Sequence, residues 1–180
     1  MIIQQSFKGC SIRWGVININ RLEKTLYFAR KQVEHCSPYV WGGQGEKLAK
    51  LPALKLAQME SSAENAARVE KYIYEHLKLF DKHTKIFDCS GLVCCALIYS
   101  GVLRAGEDYT AAGLYDKFNK IMFAARRAGD LIYKADGSGK ISHVGICISE
   151  TEVIEMKGRD YGCIISTITD SWNRANRPEY

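Results

Sequence analysis

Cys89 is the first residue whose setting suggests chemistry. It stands in "FDCSGLVCCALIYSG", Phe87 to Gly101, after an acidic residue and before a small one, at the mouth of an apolar run that also holds Cys94 and Cys95. If a helix begins at Ser90 or Gly91, the thiol sits at the positive end of its dipole, beside backbone N–H groups without partners. That placement favours thiolate and lowers the thiol from its reference value of ~8.5. The same N–H groups can steady a developing oxyanion.

A thiol nucleophile needs a base, and the base needs a partner that orients it. Of the four histidines, His35, His76 and His83 fall at helix ends or in polar flanks and read as surface residues. His143 opens "HVGICI" directly after a glycine-rich turn, where a side chain can project from a rigid sheet into a cleft. Taken alone, it is better read as a strand-end histidine satisfied by its neighbours. Glu155, in "VIEMKGR", lies on the next strand. In a hairpin of these two segments it comes beside His143, where a carboxylate fixes the tautomer and stabilises the imidazolium. On its own it reads equally well as an edge-strand glutamate.

These residues need elements to hold them. Asn20 caps a helix in which Ile19, Leu22, Leu26, Ala29 and Val33 form one apolar face, and Pro38 ends it. "PYVWGGQGE" follows as a loop of two bulky aromatics and three glycines. Residues 46–60 are weakly patterned around Pro52. Ser61 and Glu64 predict a capping box, followed by a helical stripe of Ala66, Val69, Ile73, Leu77 and Phe80 whose ordinary use is core contact. "GLVCCALIYSG" is apolar nearly all round, which predicts a buried central helix ending at Gly101. Thr110 caps a short helix through "AAGLYDKFNK". After Gly129 the texture turns to β: "DLIYKA", "SHVGICIS", "TEVIEMK" and "GCIISTIT" are short, rich in β-branched residues and separated by turn signals. Helices first and a mostly antiparallel sheet of about five to six strands afterwards give an α+β order. Without repeats or low-complexity segments, residues 1–180 are expected to form a single domain.

The 180 residues carry a formal charge of +5, with 47% hydrophobic and 25% charged residues, which are globular values. The basic residues are scattered, so a solvated surface is expected and nucleic acid is not expected as a partner; a mild positive balance also suits an anionic polymer. No apolar run approaches the ~18 residues of a membrane helix, so no membrane insertion is expected. No signal peptide is readable in "MIIQQSFKGCSIRWG". The seven cysteines, at 10, 36, 89, 94, 95, 147 and 163, are odd in number and contain no CxxC pair, so reduced thiols are expected. A zinc site built from Cys89, Cys94, Cys95 and a distant histidine has little support. No metal or cofactor is expected.

"FDCSGLV", followed by "GDLIY" and "SHVGICI" and preceded by "PYVWGG", resembles the NlpC/P60 family of cysteine peptidases. Four motifs in the right order make the resemblance specific, and it extends from the helix at 20 to the strand ending near 168. The resemblance implies a papain-like fold with the nucleophile helix packed on the sheet. It makes Cys89 the nucleophile, His143 the general base and Glu155 the third polar residue. That third position is commonly histidine, sometimes asparagine or glutamine, so glutamate is a departure. Tyr39 matches the family's cleft tyrosine, with Trp41 beside it. Asp88 and Ser90 match positions that shape the site, and Lys157 and Arg159 are candidates to pair with substrate carboxylates. Residues 46–85 exceed the family's usual link and form a helical insertion that either flanks the cleft or merely decorates the fold.

The implied activity is thiol-dependent hydrolysis of an amide in a bacterial peptidoglycan stem peptide, typically between γ-D-glutamyl and a diamino acid. A related thiol amidase or acyltransferase, or an inactive wall-binding module, are the alternatives. With no export signal readable, synthesis in the cytoplasm is expected, with action at the wall after release or within a phage or tail particle.

Overall fold

Capping residues and apolar spacing set where the elements begin. In the computed structural model, which describes residues 20–180, Asn20 caps helix α1 (Arg21–Glu34). Its side chain accepts from the Glu23 N–H while Glu23 accepts from the Asn20 N–H, a complete capping box. Cys10 and Ile19 lie outside the described residues. Past α1 the chain turns through Cys36, a non-glycine residue with φ of 49°, and the Tyr39 backbone meets Phe87 in an isolated bridge.

Strand β1 (Gln44–Lys47) pairs with strand β2 (Lys85–Phe87) in a two-stranded sheet, and between them lie helices α2 (Ala53–Met59) and α3 (Ala63–His76). The capping box expected at Ser61 is displaced by one residue. Ser62 is the cap and accepts from the Asn65 N–H, while Ser61 accepts from the Asn65 side chain. Glu64 therefore falls one position short of the reach-back that a capping box needs. The apolar stripe is only partly core: Val69 and Ile73 pack with Val40, Leu56 and Ile86, but Leu77 leaves α3 in a 3-10 turn and is exposed.

Helix α4 (Cys89–Ser100) is apolar nearly all round and buried along most of its length, with Tyr99 left exposed. Leu92, Val93, Ala96 and Leu97 share one cluster with Ala29 of α1 and the inner face of the main sheet. Gly101 ends it in the left-handed conformation, φ 79°. Helix α5 (Ala111–Lys117) begins at Thr110 as expected but stops early, because Asn119–Ile121 form strand β3. Strands β4 (Leu131–Ala135), β5 (Ile141–Cys147), β6 (Glu152–Gly158), β7 (Gly162–Thr167) and β8 (Arg174–Arg177) complete an antiparallel six-stranded sheet ordered β3-β8-β4-β5-β6-β7. The fold is α+β, as expected.

Successive side chains along a strand point to opposite faces. Leu131, Tyr133, Val144, Ile146, Ile154 and Met156 face α4, whereas Ile132, Cys147 and Val153 pack behind the sheet with Trp172 and Ala175. The same alternation carries Glu155 to the side of Val153 and His143 to the side of Cys147. Pairing between β5 and β6 is confined to Ile146↔Ile154 and Cys147↔Val153. His143 thus lies where the two strands have parted.

Candidate active site

Asp88 organises the start of α4. Its Oδ1 accepts from the Gly91 N–H at 2.7 Å and from the Ser90 hydroxyl at 3.1 Å, and its Oδ2 accepts from the Gly42 N–H at 3.1 Å. Its own N–H donates to the Gly43 carbonyl at 3.0 Å. One carboxylate therefore caps the helix and ties the aromatic-glycine loop to it. A Cβ on Gly91 would stand 2.0 Å from the Gly43 oxygen; only glycine lets loop and helix approach this closely. With Asp88 as the cap, the helix begins at Cys89 itself rather than at Ser90 or Gly91.

The thiol does not follow the expected shift. Burial pushes Cys89 up to about 11, and the Asp88 carboxylate adds to this, while hydrogen bonds from the backbone of Val144, Ser90 and Cys89 oppose it. The helix terminus acts in the expected direction but is outweighed by desolvation and a neighbouring negative charge. The contact with Val144, the residue after His143, places the sulfur at the parted end of β5.

His143 Nε2 lies 2.7 Å from Glu155 Oε2, so the imidazole N–H donates to the carboxylate across the β5–β6 hairpin. The Glu155 side chain is 2% exposed and that of His143 16%. Burial works against the Glu155 charge, yet hydrogen bonding from His143 and Ser166 and the charges of His143 and Lys134 outweigh it and hold the carboxyl below the ordinary carboxylate range. The Ser166 Oγ is buried without a partner at full hydrogen-bonding distance, so its help is that of a nearby dipole. Trp172 lies against the imidazole with ring centroids 5.4 Å apart. Gly145 makes room for it, since a Cβ there would come within 2.5 Å of Val153 and 3.2 Å of the indole.

Tyr39 is buried beside the sulfur. Burial raises its phenol first, and negative charge at Cys89 and Asp88 adds to that. The Arg159 guanidinium lies 5.2 Å over its ring. Arg159 is not a free cation, however. Its Nε donates to Glu60 Oε2 at 2.7 Å, with Nη2 ion-paired to the same oxygen at 2.6 Å, and the other Glu60 oxygen accepts from the Trp41 N–H at 2.9 Å. The Glu60 side chain is wholly buried. It comes from the junction of α2 and α3, so the 46–85 segment is fastened to both the arginine and the aromatic loop. Trp41 leaves its own ring largely exposed. Lys157 is exposed, with its ammonium 4.8 Å over Tyr161.

Cys94 and Cys95 diverge from Cys89. Cys94 donates to the Tyr109 carbonyl and Cys95 to the Gln44 carbonyl, and among the described residues no group of three His, Cys, Asp or Glu side chains is placed to hold a metal. His35, His76 and His83 stand away from this site, His76 stacked on Tyr72 and His35 near Asp81. Sequence reasoning missed Glu60, Lys134, Ser166 and Trp172. Strand alternation offered a signal for Lys134, opposite His143; nothing local marks Glu60.

The model of the NlpC/P60 family matches residues 36–176. The chain belongs to the NlpC/P60 family. A comparison with curated proteins gives no match. Among solved structures, the P60 domain of antigen MAP1204 from Mycobacterium avium subspecies paratuberculosis is similar at 19% identity and TM-score 0.56, over 89% of this chain and 96% of that one. The peptidoglycan hydrolase RipB of Mycobacterium tuberculosis is similar at 22% identity and TM-score 0.58, over 89% and 66%. RipD of the same organism, a non-catalytic NlpC/P60 domain protein adapted to peptidoglycan binding, is similar at 16% identity and TM-score 0.56, over 88% and 97%. At these identities the likeness is one of fold, and the fold hosts both outcomes.

Proposed function

We propose that this chain is a cysteine endopeptidase acting on bacterial peptidoglycan stem peptides, with Cys89, His143 and Glu155 as its catalytic set. The observation that carries the reading is the 2.7 Å His143–Glu155 hydrogen bond on a strand whose next residue touches the Cys89 sulfur. With Nε2 engaged by Glu155, Nδ1 is left to take the thiol proton. The thiolate attacks the amide carbonyl, and the Cys89 and Ser90 N–H groups at the helix start face the developing oxyanion. His143 then gives its proton to the leaving amine and removes one from the water that hydrolyses the thioester. Burial and Asp88 favour the thiol over the thiolate at Cys89, and on this reading the nucleophile forms by proton transfer to His143.

Family membership and the similarity to a peptidoglycan hydrolase support the substrate class. The bond we assign, from the family resemblance, is γ-D-glutamyl to diamino acid. Tyr39 and Trp41 line the cleft, Asp88 and Ser90 shape its floor, and Lys157 reaches for substrate carboxylates; Arg159, committed to Glu60, serves the wall of the cleft first. Residues 46–85 act as an insertion that builds this wall within one domain. The enzyme reaches the wall after release from the cell or as part of a phage or tail particle. Among the described residues no helix is long and apolar enough to cross a membrane.

Identifying the new termini in digested cell wall tests the reading. An endopeptidase exposes the amine of the diamino acid; an amidase at the sugar–peptide junction exposes that of the first stem residue and would replace this reading. Binding of wall without any new terminus would place the chain with non-catalytic members such as RipD.

A further inference from the structure

We propose that Lys134 is a positioning residue for the His143–Glu155 pair, supplying the permanent positive charge that lets Glu155 remain a carboxylate while His143 gains and loses its proton. The proposal rests on the reading of His143 as a proton carrier and assigns a part to a residue outside the three.

Register sets the arrangement. Lys134 of β4 is the cross-strand partner of His143 of β5, and a bulge follows immediately between Lys134 and Ala135. The Lys134 ammonium lies 3.8 Å from Glu155 Oε2, the same oxygen that accepts from His143. It also lies 4.5 Å over the Trp172 ring, whose indole contacts the imidazole. Cation and base thus share one aromatic platform and one carboxylate oxygen. The titratable and charged groups facing Glu155 are Lys134 of β4, His143 of β5 and Cys163 of β7, with Lys157 two residues along its own strand.

A buried carboxylate is costly without a counter-charge. While His143 is an imidazolium, Glu155 has two cations beside it. Once the imidazole has delivered its proton to the leaving amine, Lys134 is the remaining one. Without Lys134 the whole compensation of Glu155 falls on His143, which then holds its proton more tightly and releases it to the amine less readily. Catalysis needs a base that gives the proton back, so the lysine tempers an anchor that would otherwise be too strong.

The test follows the His143 imidazole through pH by NMR in a Cys89→Ala background, which removes coupling to the thiol. Adding Lys134→Met should raise the titration midpoint by about half a pH unit, less than a wholly buried neighbour exerts because Lys134 is one-third exposed. Lys134→Gln, which keeps an aliphatic stem over Trp172, should do the same, and Lys134→Arg should restore the original midpoint. Coincident titrations for Cys89→Ala with and without Lys134→Met or Lys134→Gln would overturn the proposal. The readout does not depend on hydrolysis, so a chain that fails to cut cell wall but shows the shift would refute the enzymatic reading and leave the electrostatic one standing.

Discussion

At Cys89 two tendencies oppose each other, and the balance decides how the thiol must be used. The helix start offers N–H groups, but burial and Asp88 drive the thiol to about 11. On the proposed assignment, reactivity near neutral pH depends on His143. Alkylation of Cys89 by iodoacetamide at pH 7, followed at the peptide level, should slow by roughly tenfold or more in His143→Ala; an unchanged rate would mean that the thiol ionises unaided. On the same reading Glu155 acts one step further back. Glu155→Gln should keep more activity than Glu155→Ala, because an amide oxygen still accepts from the imidazole; equal rates for wild type and both variants would remove Glu155 from the mechanism. Its carboxyl is also held low in the folded state. A depressed acid stabilises the fold above its unfolded value of about 4.3 and loses that contribution as pH falls through the folded value. The thermal midpoint of the wild type should therefore drop more than that of Glu155→Gln between pH 5 and pH 3.

The elements act through two joints. At the first, Gly91 meets Gly43 so closely that Gly91→Ala forces loop and helix apart, since the added carbon would lie 2.0 Å from a carbonyl oxygen. Breaking Asp88's bonds to both should cost about 2–3 kcal/mol of stability, and activity should fall further than stability, because the proposed nucleophile sits on the moved helix. At the second, Glu60 holds Arg159 and the Trp41 backbone. Removing one partner of a buried pair strands the other, so Glu60→Ala should lower stability by about 3 kcal/mol in chemical denaturation and raise KM more than it lowers kcat. A change below about 0.5 kcal/mol would show the segment 46–85 to be ornament. These joints also mark what the sequence could and could not reveal. Caps at Asn20, Thr110 and Gly101 and the alternating strands β4 to β7 were legible because their signals are local. Strands β3 and β8 were not: "NKI" and "RANR" are too short and polar to show a period. Glu60 and Arg159, 99 residues apart, meet only after the sheet has formed, and the elevated thiol of Cys89 reflects an enclosure that no residue near it announces.

At the scale of the whole molecule, the thiols of Cys89, Cys94, Cys95 and Cys147 are stabilising only as long as they stay neutral. Cys89, Cys95 and Cys147 are pushed up to about 11 and Cys94 to about 12, burial being the largest cause in each. A raised acid contributes stability that is complete below its unfolded value of ~8.5 and disappears as pH rises through the folded one. The protein should therefore lose stability steeply between about pH 9 and 12, and Cys95→Ala should flatten that decline. Cys89, partly buried at the start of α4, lies between an imidazole-bearing strand and a glycine loop. Mass spectrometry of the fragments released from purified peptidoglycan by wild type and by Cys89→Ala tests this arrangement most directly. Stem-peptide fragments with a new diamino-acid amine are expected from the wild type and none from the variant; equal fragments from both would contradict the assignment of Cys89.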